Sequence, residues 1–332
     1  MTRRTLLKTA LGTALARGFA GAQNTGRIGI AWTSYMTVAR PRDTLEFLEH
    51  AHSLGAVGIQ GPIHGDPAVI RARAEQLGMY VEAMVSLPED RSTQKFENEL
   101  VAARAVGASC VRAGSLSGRR YETFSSMAEW KRFVHEAEIS IAAAVPLLEK
   151  HKMRLALENH KDRTADELVA LIKLHASEYL GVCLDFGNNV SLLEDPLEVA
   201  VKLAPYTFST HLKDMAVQPD EDGFLLSEVP LGQGMLDLPR MISLVRQAHP
   251  ETRLSLEMIT RDPLRVPCLT DKYWATFPDR GGLCLARTLR MVREKRSHGA
   301  LPRISGLSHE AQRDEEERNV RTSMQYAARW KT

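Results

Sequence analysis

The chain alternates short apolar segments with longer amphipathic segments, eight times over, between residues 27 and 296. The apolar segments, each predicted to be a strand, cover residues 27–32, 56–60, 80–86, 109–113, 154–158, 181–185, 207–211 and 253–257. They are rich in Val, Ile, Leu and Ala with little polar alternation, which is typical of parallel strands buried on both faces. The segments predicted to be helices cover residues 43–54, 67–77, 93–106, 127–150, 164–174, 196–203, 238–247 and 283–295. Eight such units with right-handed crossovers predict a single-domain α/β fold, a (β/α)8 TIM barrel.

A doubly wound open sheet is the alternative architecture for this alternation. Such a sheet is expected to carry a glycine-rich phosphate-binding turn after its first strand. Residues 31–34 read Ala-Trp-Thr-Ser instead, which favours the barrel. The composition agrees with one large core, since 44% of the 332 residues are hydrophobic.

Three segments fall outside the alternation. Residues 214–234 contain several Pro and Gly and are interpreted as a long active-site loop, and residues 261–280, with Tyr, Trp and Phe, are long for a barrel connection. From residue 297 to residue 332 the chain is a polar C-terminal extension. Its run RDEEER at 313–318 predicts a solvated helix or a flexible tail.

The first 22 residues resemble a twin-arginine export signal. Arg3 and Arg4 precede a mildly apolar run, and residues 20–22 (Ala-Gly-Ala) fit a small-residue cleavage site. A basic amphipathic helix is the alternative, which Arg17 favours by interrupting the apolar run. Export predicts a periplasmic protein, and no later segment has the ~20 continuous apolar residues that a membrane span needs.

The chain contains four cysteines. Cys110 and Cys183 lie in predicted strands, where a thiol acts as a small buried hydrophobe. An oxidising compartment would permit a disulfide between Cys268 and Cys284, a pairing that the sequence leaves open.

Four side chains that can bind metals stand at the ends of the last four predicted strands: Glu158, Asp185, His211 and Glu257. The carboxyl ends of barrel strands form one rim, and neighbouring strands lie about 4.8 Å apart. Taken singly, each carboxylate is better explained as a helix cap or ion-pair partner, and the histidine as a hydrogen-bonded core residue. Together they predict a site for one divalent cation with mainly oxygen ligands.

Five short motifs around these strand ends resemble the sugar phosphate isomerase/epimerase family of the xylose-isomerase-like superfamily. They are LENH at 157–160, CLDFGN at 183–188, HLKD at 211–214, PLGQG at 230–234 followed by Asp237, and SLEM at 255–258. The resemblance covers about residues 27–295 and is more specific for the superfamily than for any one reaction.

This resemblance implies one divalent metal ion, Mn²⁺ in preference to Mg²⁺, Co²⁺ or Zn²⁺, held by Glu158, Asp185, His211 and Glu257. It also implies a small carbohydrate substrate whose carbonyl the ion polarises, while Glu158 and Glu257 move a proton through a cis-enediolate. Family members are often dimers or tetramers, so a homo-oligomer is expected by analogy.

Five further residues are candidates for contact with the substrate: His160, Asn188, Lys213, His64 and Trp32. For His160, orienting Glu158 is an equal alternative. Trp32 ends the first strand, where it could stack on a sugar or fill the barrel mouth.

Two departures from the ketose 3-epimerases leave the reaction open. Asn188 stands where those enzymes place a His, and Val217 lies where they place an Arg. HLKD is closer to the inosose dehydratase branch, in which the same enolate chemistry ends in elimination. A dehydratase or lyase is therefore the first alternative to an isomerase or epimerase.

Two more distant alternatives are a metal-dependent endonuclease of the same superfamily and a non-catalytic sugar-binding barrel. The formal net charge of +2, without a dominant basic stripe, argues against a nucleic-acid partner. The intact set of metal ligands argues against a barrel that only binds sugar.

Overall fold

The structure is a computed structural model that describes residues 28–36, 38–89 and 92–330. The predicted export signal lies outside these residues. In chain order the strands are β1 (Gly29–Ala31), β2 (Gly58–Gly61), β3 (Tyr80–Met84), β4 (Cys110–Ala113), β5 (Arg154–Glu158), β6 (Leu180–Asp185), β7 (Thr207–Leu212), β8 (Asp214–Asp220), β9 (Gly223–Val229), β10 (Arg253–Leu256) and β11 (Leu264–Val266). The helices are α1 (Thr44–Ser53), α2 (Pro67–Leu77), α3 (Gln94–Ala105), α4 (Arg120–Thr123), α5 (Met127–His151), α6 (Ala165–His175), α7 (Pro196–Leu203), α8 (Leu238–Ala248), α9 (Asp271–Trp274), α10 (Gly282–Glu294) and α11 (His309–Ala327).

Eight parallel strands close into a barrel in the order β1-β10-β7-β6-β5-β4-β3-β2. This confirms the predicted (β/α)8 TIM barrel, and each predicted strand is present. The first is shorter than predicted, because residues Trp32–Tyr35 form a 3-10 helix instead of extending β1. The seam that closes the barrel is short, since β1 and β10 pair only through Gly29 with Ser255 and Ile30 with Leu256.

The apolar core lies between the outer face of the barrel and the surrounding helices. It includes the fully buried side chains Ile30, Leu48, Leu100, Leu155, Val182 and Val245. The interior of the barrel is partly polar, because Gln60 of β2 and Glu82 of β3 both contact Ser209 of β7 across it. Burial therefore separates an apolar layer outside the strands from a hydrogen-bonded polar layer inside them.

Residues 214–234 are mostly a hairpin, so their interpretation as a long loop is wrong. Strands β8 and β9 pair in an antiparallel arrangement, and β11 adds to β9 to make a three-stranded sheet. The glycine and proline that suggested a loop flank the hairpin turn: Pro219 lies near the end of β8, and Gly223 begins β9 with a φ of +150°. Val217, Phe224 and Val266 give this sheet its own buried apolar cluster.

The C-terminal helix α11 packs on the barrel, so the prediction of a solvated segment at 313–318 is wrong for its central residue. Glu316 is fully buried and accepts hydrogen bonds from the backbone N–H groups of Val38 (3.3 Å) and Ala39 (2.8 Å). Val320 and Met324 of the same helix join the main apolar core. The polar composition gave no sign that this helix packs on the barrel, because only one narrow face of it is buried.

All four cysteines are free thiols, including Cys268 and Cys284, whose pairing the sequence left open. None of the helices within residues 28–36, 38–89 and 92–330 is both long and apolar enough to cross a membrane.

Replacing Glu316 with Ala should lower the free energy of unfolding by about 2 kcal/mol, because two backbone N–H groups lose a charged acceptor. Chemical denaturation monitored by circular dichroism measures this change. The matched control is Asp314→Ala, an exposed position of the same helix, where a change below about 0.5 kcal/mol is expected. Equal effects at the two positions would show that Glu316 does not anchor the helix.

Candidate metal centre

Four buried side chains meet at the carboxyl end of the barrel. Glu158 and Asp185 end β5 and β6, His211 lies in β7, and Glu257 directly follows β10. One nitrogen or oxygen from each lies within 4.8 Å of the others. The structure thus brings together the four residues that the sequence singled out, because register pairs Asp185 with His211 and His211 with Ser255 on neighbouring strands.

The imidazole of His211 carries the strongest sign that this cluster holds a cation. Its Nε2 lies 2.5 Å from the Oε1 of Gln60, a carbonyl oxygen that can only accept, so we assign the proton to Nε2. Its Nδ1 has no hydrogen-bond partner. This nitrogen faces Oε1 of Glu257 at 3.3 Å, Oε1 of Glu158 at 3.6 Å and Oδ2 of Asp185 at 3.8 Å.

A neutral imidazole can offer a lone pair to a cation in this cluster. Burial lowers the pKa of His211 to about 4, and nearby carboxylates only partly oppose this. At neutral pH the Nδ1 therefore presents a lone pair, not a proton, to three carboxylate oxygens. Four electron-rich atoms that face one another in a buried space form a site that a metal ion would stabilise, in addition to the ammonium of Lys213 beside Asp185 and Glu257. The residues fit a divalent cation, with three oxygen ligands and one nitrogen ligand.

A hydrogen-bond network below the cluster fixes the orientation of Gln60. Its Nε2 donates to Glu82 Oε2 (3.1 Å) and to Ser209 Oγ (3.0 Å), and that hydroxyl donates to Glu82 (2.7 Å). These bonds turn the amide oxygen of Gln60 toward His211. Outer partners of this kind set the tautomer and direction of a metal-binding imidazole.

The carboxylates are also held in place by neutral donors. Asp185 Oδ1 accepts from the backbone N–H groups of Gly187 (2.9 Å) and Asn188 (2.8 Å), which leaves Oδ2 for the cluster. The side-chain amide of Asn188 donates to Glu158 Oε1 (3.0 Å). The hydroxyl of Thr33 donates to Glu257 Oε1 (2.7 Å). Asn188 is therefore placed as an outer support of Glu158.

Lys213 joins the carboxylates from the side of the β8–β9 hairpin. Its Nζ lies 2.8 Å from Asp185 Oδ2, 2.5 Å from Glu257 Oε2 and 3.3 Å from Glu228 Oε1 of β9. Burial opposes the charged form, but the three carboxylates together raise the pKa of Lys213 above its usual value. The ammonium thus stays protonated, and it also binds the hairpin to the barrel rim.

Two guanidinium groups complete the ion pairs. Arg112 of β4 pairs with Glu158, and Arg261 pairs with Glu228 through Nη2 at 2.8 Å. Of the two, Arg112 is the more buried, with 13% of its side chain exposed against 29% for Arg261. Both line the small cavity described next.

A cavity of about 310 Å³ opens over this cluster. Among the residues that line it are Glu158, His160, Lys161, Glu257, Arg112 and Arg261. Its size falls within the range of small-molecule sites. A larger groove of about 730 Å³ between α7 and α10 includes none of the four clustered residues. The smaller cavity is therefore the candidate substrate site.

The remaining sequence candidates divide into two groups. His160 lines the cavity, and its pKa is held well below the usual value, mainly by burial and then by Lys161 and Arg112. Trp32 and His64 are not among the residues lining the cavity and contact each other edge-on, with ring centroids 5.9 Å apart. Trp32 also packs on Phe47 at 5.3 Å, as a residue of the barrel mouth would.

Sequence reasoning missed five polar residues of this centre: Gln60, Arg112, Lys161, Glu228 and Arg261. A signal existed for three of them. Gln60 and Arg112 are polar residues at the ends of apolar strands, and Lys161 directly follows the LENH motif. Glu228 and Arg261 carried no such signal, because they lie in segments that were interpreted as loops.

Comparison with known proteins identifies relatives of this fold. A family model described as a xylose isomerase-like TIM barrel matches residues 42–275. The 3-oxo-isoapionate decarboxylase of Pectobacterium atrosepticum is 26% identical over 225 residues, which cover 65% of this chain and 77% of that protein.

Solved structures share the fold at low identity. L-ribulose 3-epimerase superposes with a TM-score of 0.55 at 16% identity, covering 91% of this chain and 96% of that one. A xylose isomerase-like TIM barrel protein from Mycobacterium smegmatis in complex with magnesium gives a TM-score of 0.53 at 17% identity, covering 79% and 97%.

Replacing Asp185 with Asn should weaken Mn²⁺ binding by at least about 100-fold, since even the loss of an outer partner costs a metal site up to that much. Calorimetric titration of the chelator-treated protein with MnCl2 measures the affinity. The control is Asp162→Asn, a buried carboxylate that contacts Arg163 and stands outside the cluster. If both variants bind Mn²⁺ as the parent does, the cluster is not the metal centre.

Proposed function

Because this chain belongs to the xylose isomerase-like TIM barrel family, we propose that it is a divalent-metal-dependent enzyme acting beside the carbonyl of a sugar-type substrate. The observation that carries the proposal is the unprotonated Nδ1 of His211 facing three buried carboxylates at the mouth of a cavity. Fold alone would not support a reaction, since this scaffold hosts many.

The metal would be held by Glu158, Asp185, His211 and Glu257. When bound, it would polarise the substrate carbonyl as a Lewis acid. We propose Mn²⁺ first, with Mg²⁺, Co²⁺ and Zn²⁺ as alternatives, because a set of three carboxylates and one imidazole suits hard or borderline cations.

The proton transfer is assigned to Glu158 and Glu257. Both line the cavity, so a substrate placed there has two carboxylates within reach to accept and return a proton. Removal of the proton beside the carbonyl leaves an enediolate, and its return to the neighbouring carbon or to the opposite face gives isomerisation or epimerisation. Asn188 would hold Glu158 during this step, and Thr33 would hold Glu257.

Loss of a group from the substrate is the second candidate reaction. It is favoured by the ion pairs of Glu158 with Arg112 and of Glu257 with Lys213, which make these carboxylates weaker bases than free ones. Elimination or decarboxylation needs one proton transfer or none before bond cleavage, so it depends less on two free bases. The similarity to the 3-oxo-isoapionate decarboxylase of Pectobacterium atrosepticum also supports this second candidate.

The proposed chemistry predicts solvent-deuterium exchange that depends on Glu257. Incubation of the Mn²⁺-loaded protein with ketoses, inososes and 3-keto-glycosides in deuterated water should show loss of a C–H signal in proton NMR. Glu257→Gln should slow this exchange by at least about 100-fold, the usual contribution of a general base. The control is Glu198→Gln, an exposed carboxylate of α7, which should exchange at the parent rate.

Three results would separate the alternatives. Exchange without net conversion, or conversion to an isomer, supports an isomerase or epimerase. A dehydrated product from these ligands, or release of CO2 when a 3-oxo sugar acid is added to the panel, supports the second candidate. Tight sugar binding without exchange or product would identify a sugar-binding barrel and overturn the proposal.

We also propose that residues 1–22 direct export to the periplasm, which rests on the Arg3-Arg4 pair and the small residues at 20–22. A fusion of residues 1–26 to a folded fluorescent reporter should place it in the periplasmic fraction of a bacterial host. Substituting both arginines with lysine should abolish this, because the pathway reads the arginine pair. A reporter that stays in the cytoplasm with the parent segment would contradict the proposal.

A further inference from the structure

Lys161 is a buried lysine whose side chain hydrogen-bonds to an amide oxygen and not to a carboxylate. Only 3% of the residue is exposed, and its Nζ donates to the side-chain oxygen of Asn188. No ion pair joins it to any acidic side chain within residues 28–36, 38–89 and 92–330, whereas Lys213 makes three. A charged amine in a buried position without a counter-ion is costly, so a bound anion would favour the charged form of Lys161.

Lys161 lies at the wall of the cavity and close to the metal centre. It lines the cavity together with Arg261. The amide of Asn188 connects it to the cluster, since that amide accepts from Lys161 and donates to Glu158. An anion held by Lys161 would therefore lie one side chain away from a metal ligand, beside the reacting part of a bound substrate.

The charges of the centre point to a ligand with negative charge. Four carboxylates, Glu158, Asp185, Glu228 and Glu257, and four basic side chains, Arg112, Lys161, Lys213 and Arg261, stand together in and around this centre. Their formal charges cancel, so a divalent cation would leave an excess of two positive charges. Proton transfer from the substrate to a glutamate leaves this total unchanged, so an anionic group on the substrate is what would reduce the excess.

We propose that Lys161, with Arg261 beside it, forms a carboxylate subsite, so that the substrate is a sugar-derived keto acid and not a neutral sugar. This inference rests on the proposed function, because it concerns the same cavity. A carboxylate is preferred to a phosphate group. Arg112, Lys213 and Arg261 are already paired with glutamates, which leaves Lys161 of these four basic side chains to pair with a monoanion.

The burial of Lys161 supports the same reading. Burial, followed by the neighbouring cations Lys213 and Arg261, lowers the pKa of Lys161 to about 7. A bound carboxylate would restore the charged form, since an opposite charge within hydrogen-bond distance stabilises the ammonium.

Three ligands that share the D-fructose skeleton test the subsite: D-fructose itself, 2-keto-D-gluconate, in which a carboxylate replaces the C1 hydroxymethyl group, and D-fructose 1-phosphate. Calorimetric titration of the Mn²⁺-loaded protein should show 2-keto-D-gluconate binding at least about tenfold more tightly than D-fructose, the gain expected from one charge-assisted hydrogen bond. Lys161→Met keeps the unbranched apolar part of the side chain, removes the terminal amine, and should reduce this ratio to within about threefold. Lys202→Met, at an exposed lysine of α7, should leave the ratio at the parent value.

Equal affinity of the parent for the keto acid and for D-fructose would overturn the subsite, and so would an unchanged ratio in a Lys161→Met protein that retains parental Mn²⁺ affinity and melting temperature. Tighter binding of the phosphate ester than of the keto acid would overturn the choice of a carboxylate. Deuterium exchange keeps this test separate from the proposed function. Exchange with neutral ketoses and no preference for the acid would leave the function standing, whereas preference for the acid with no exchange or product from any ligand would leave the subsite standing.

Discussion

The hydrogen bond between Gln60 and His211 is the interaction on which the site depends. It places the only proton of the imidazole on the side away from the cluster, and so turns a lone pair toward three carboxylates. The bond is possible because Gln60 lies on β2, across the barrel from β7. Only a closed barrel with a polar interior brings these two strands within hydrogen-bond distance. A side chain that does not line the cavity therefore sets the orientation of His211 at the rim.

Ion pairs around this centre connect the three-stranded sheet of β8, β9 and β11 to the barrel. Glu228 of the β8–β9 hairpin bonds Lys213 from β7's end and Arg261 from the segment after β10. Buried ion pairs contribute little net stability but are strongly destabilising when one partner is removed. The hairpin is thus held against the four clustered residues. This explains why a segment with Pro and Gly forms an ordered sheet there.

The barrel and its four clustered residues were predictable because both follow from strict periodicity. Strands buried on both faces leave long apolar runs, and a carboxylate or imidazole that ends such a run stands out. Glu228 and Arg261 were not predictable, since their roles arise from a pairing between β8, β9 and β11 that no local pattern encodes. The packing of α11 was not predictable for the same reason, because Glu316 contacts residues that are far away in the sequence. Long-range contacts of single polar side chains leave no periodic trace in a sequence.

The position of α11 also explains how a short seam of the barrel can hold a residue of the cluster in place. Strands β1 and β10 share only two register pairs, yet Glu257 follows β10 directly and must be held accurately. The hydroxyl of Ser34 bridges the seam, since it donates to Leu256 O and accepts from the N–H of Met258. Helix α11 then secures both sides from outside, through Glu316 to the segment after β1 and through Asn319 to Thr260 after β10. A helix that does not line the cavity thereby helps to hold Glu257, the last of the four clustered residues along the chain, in position.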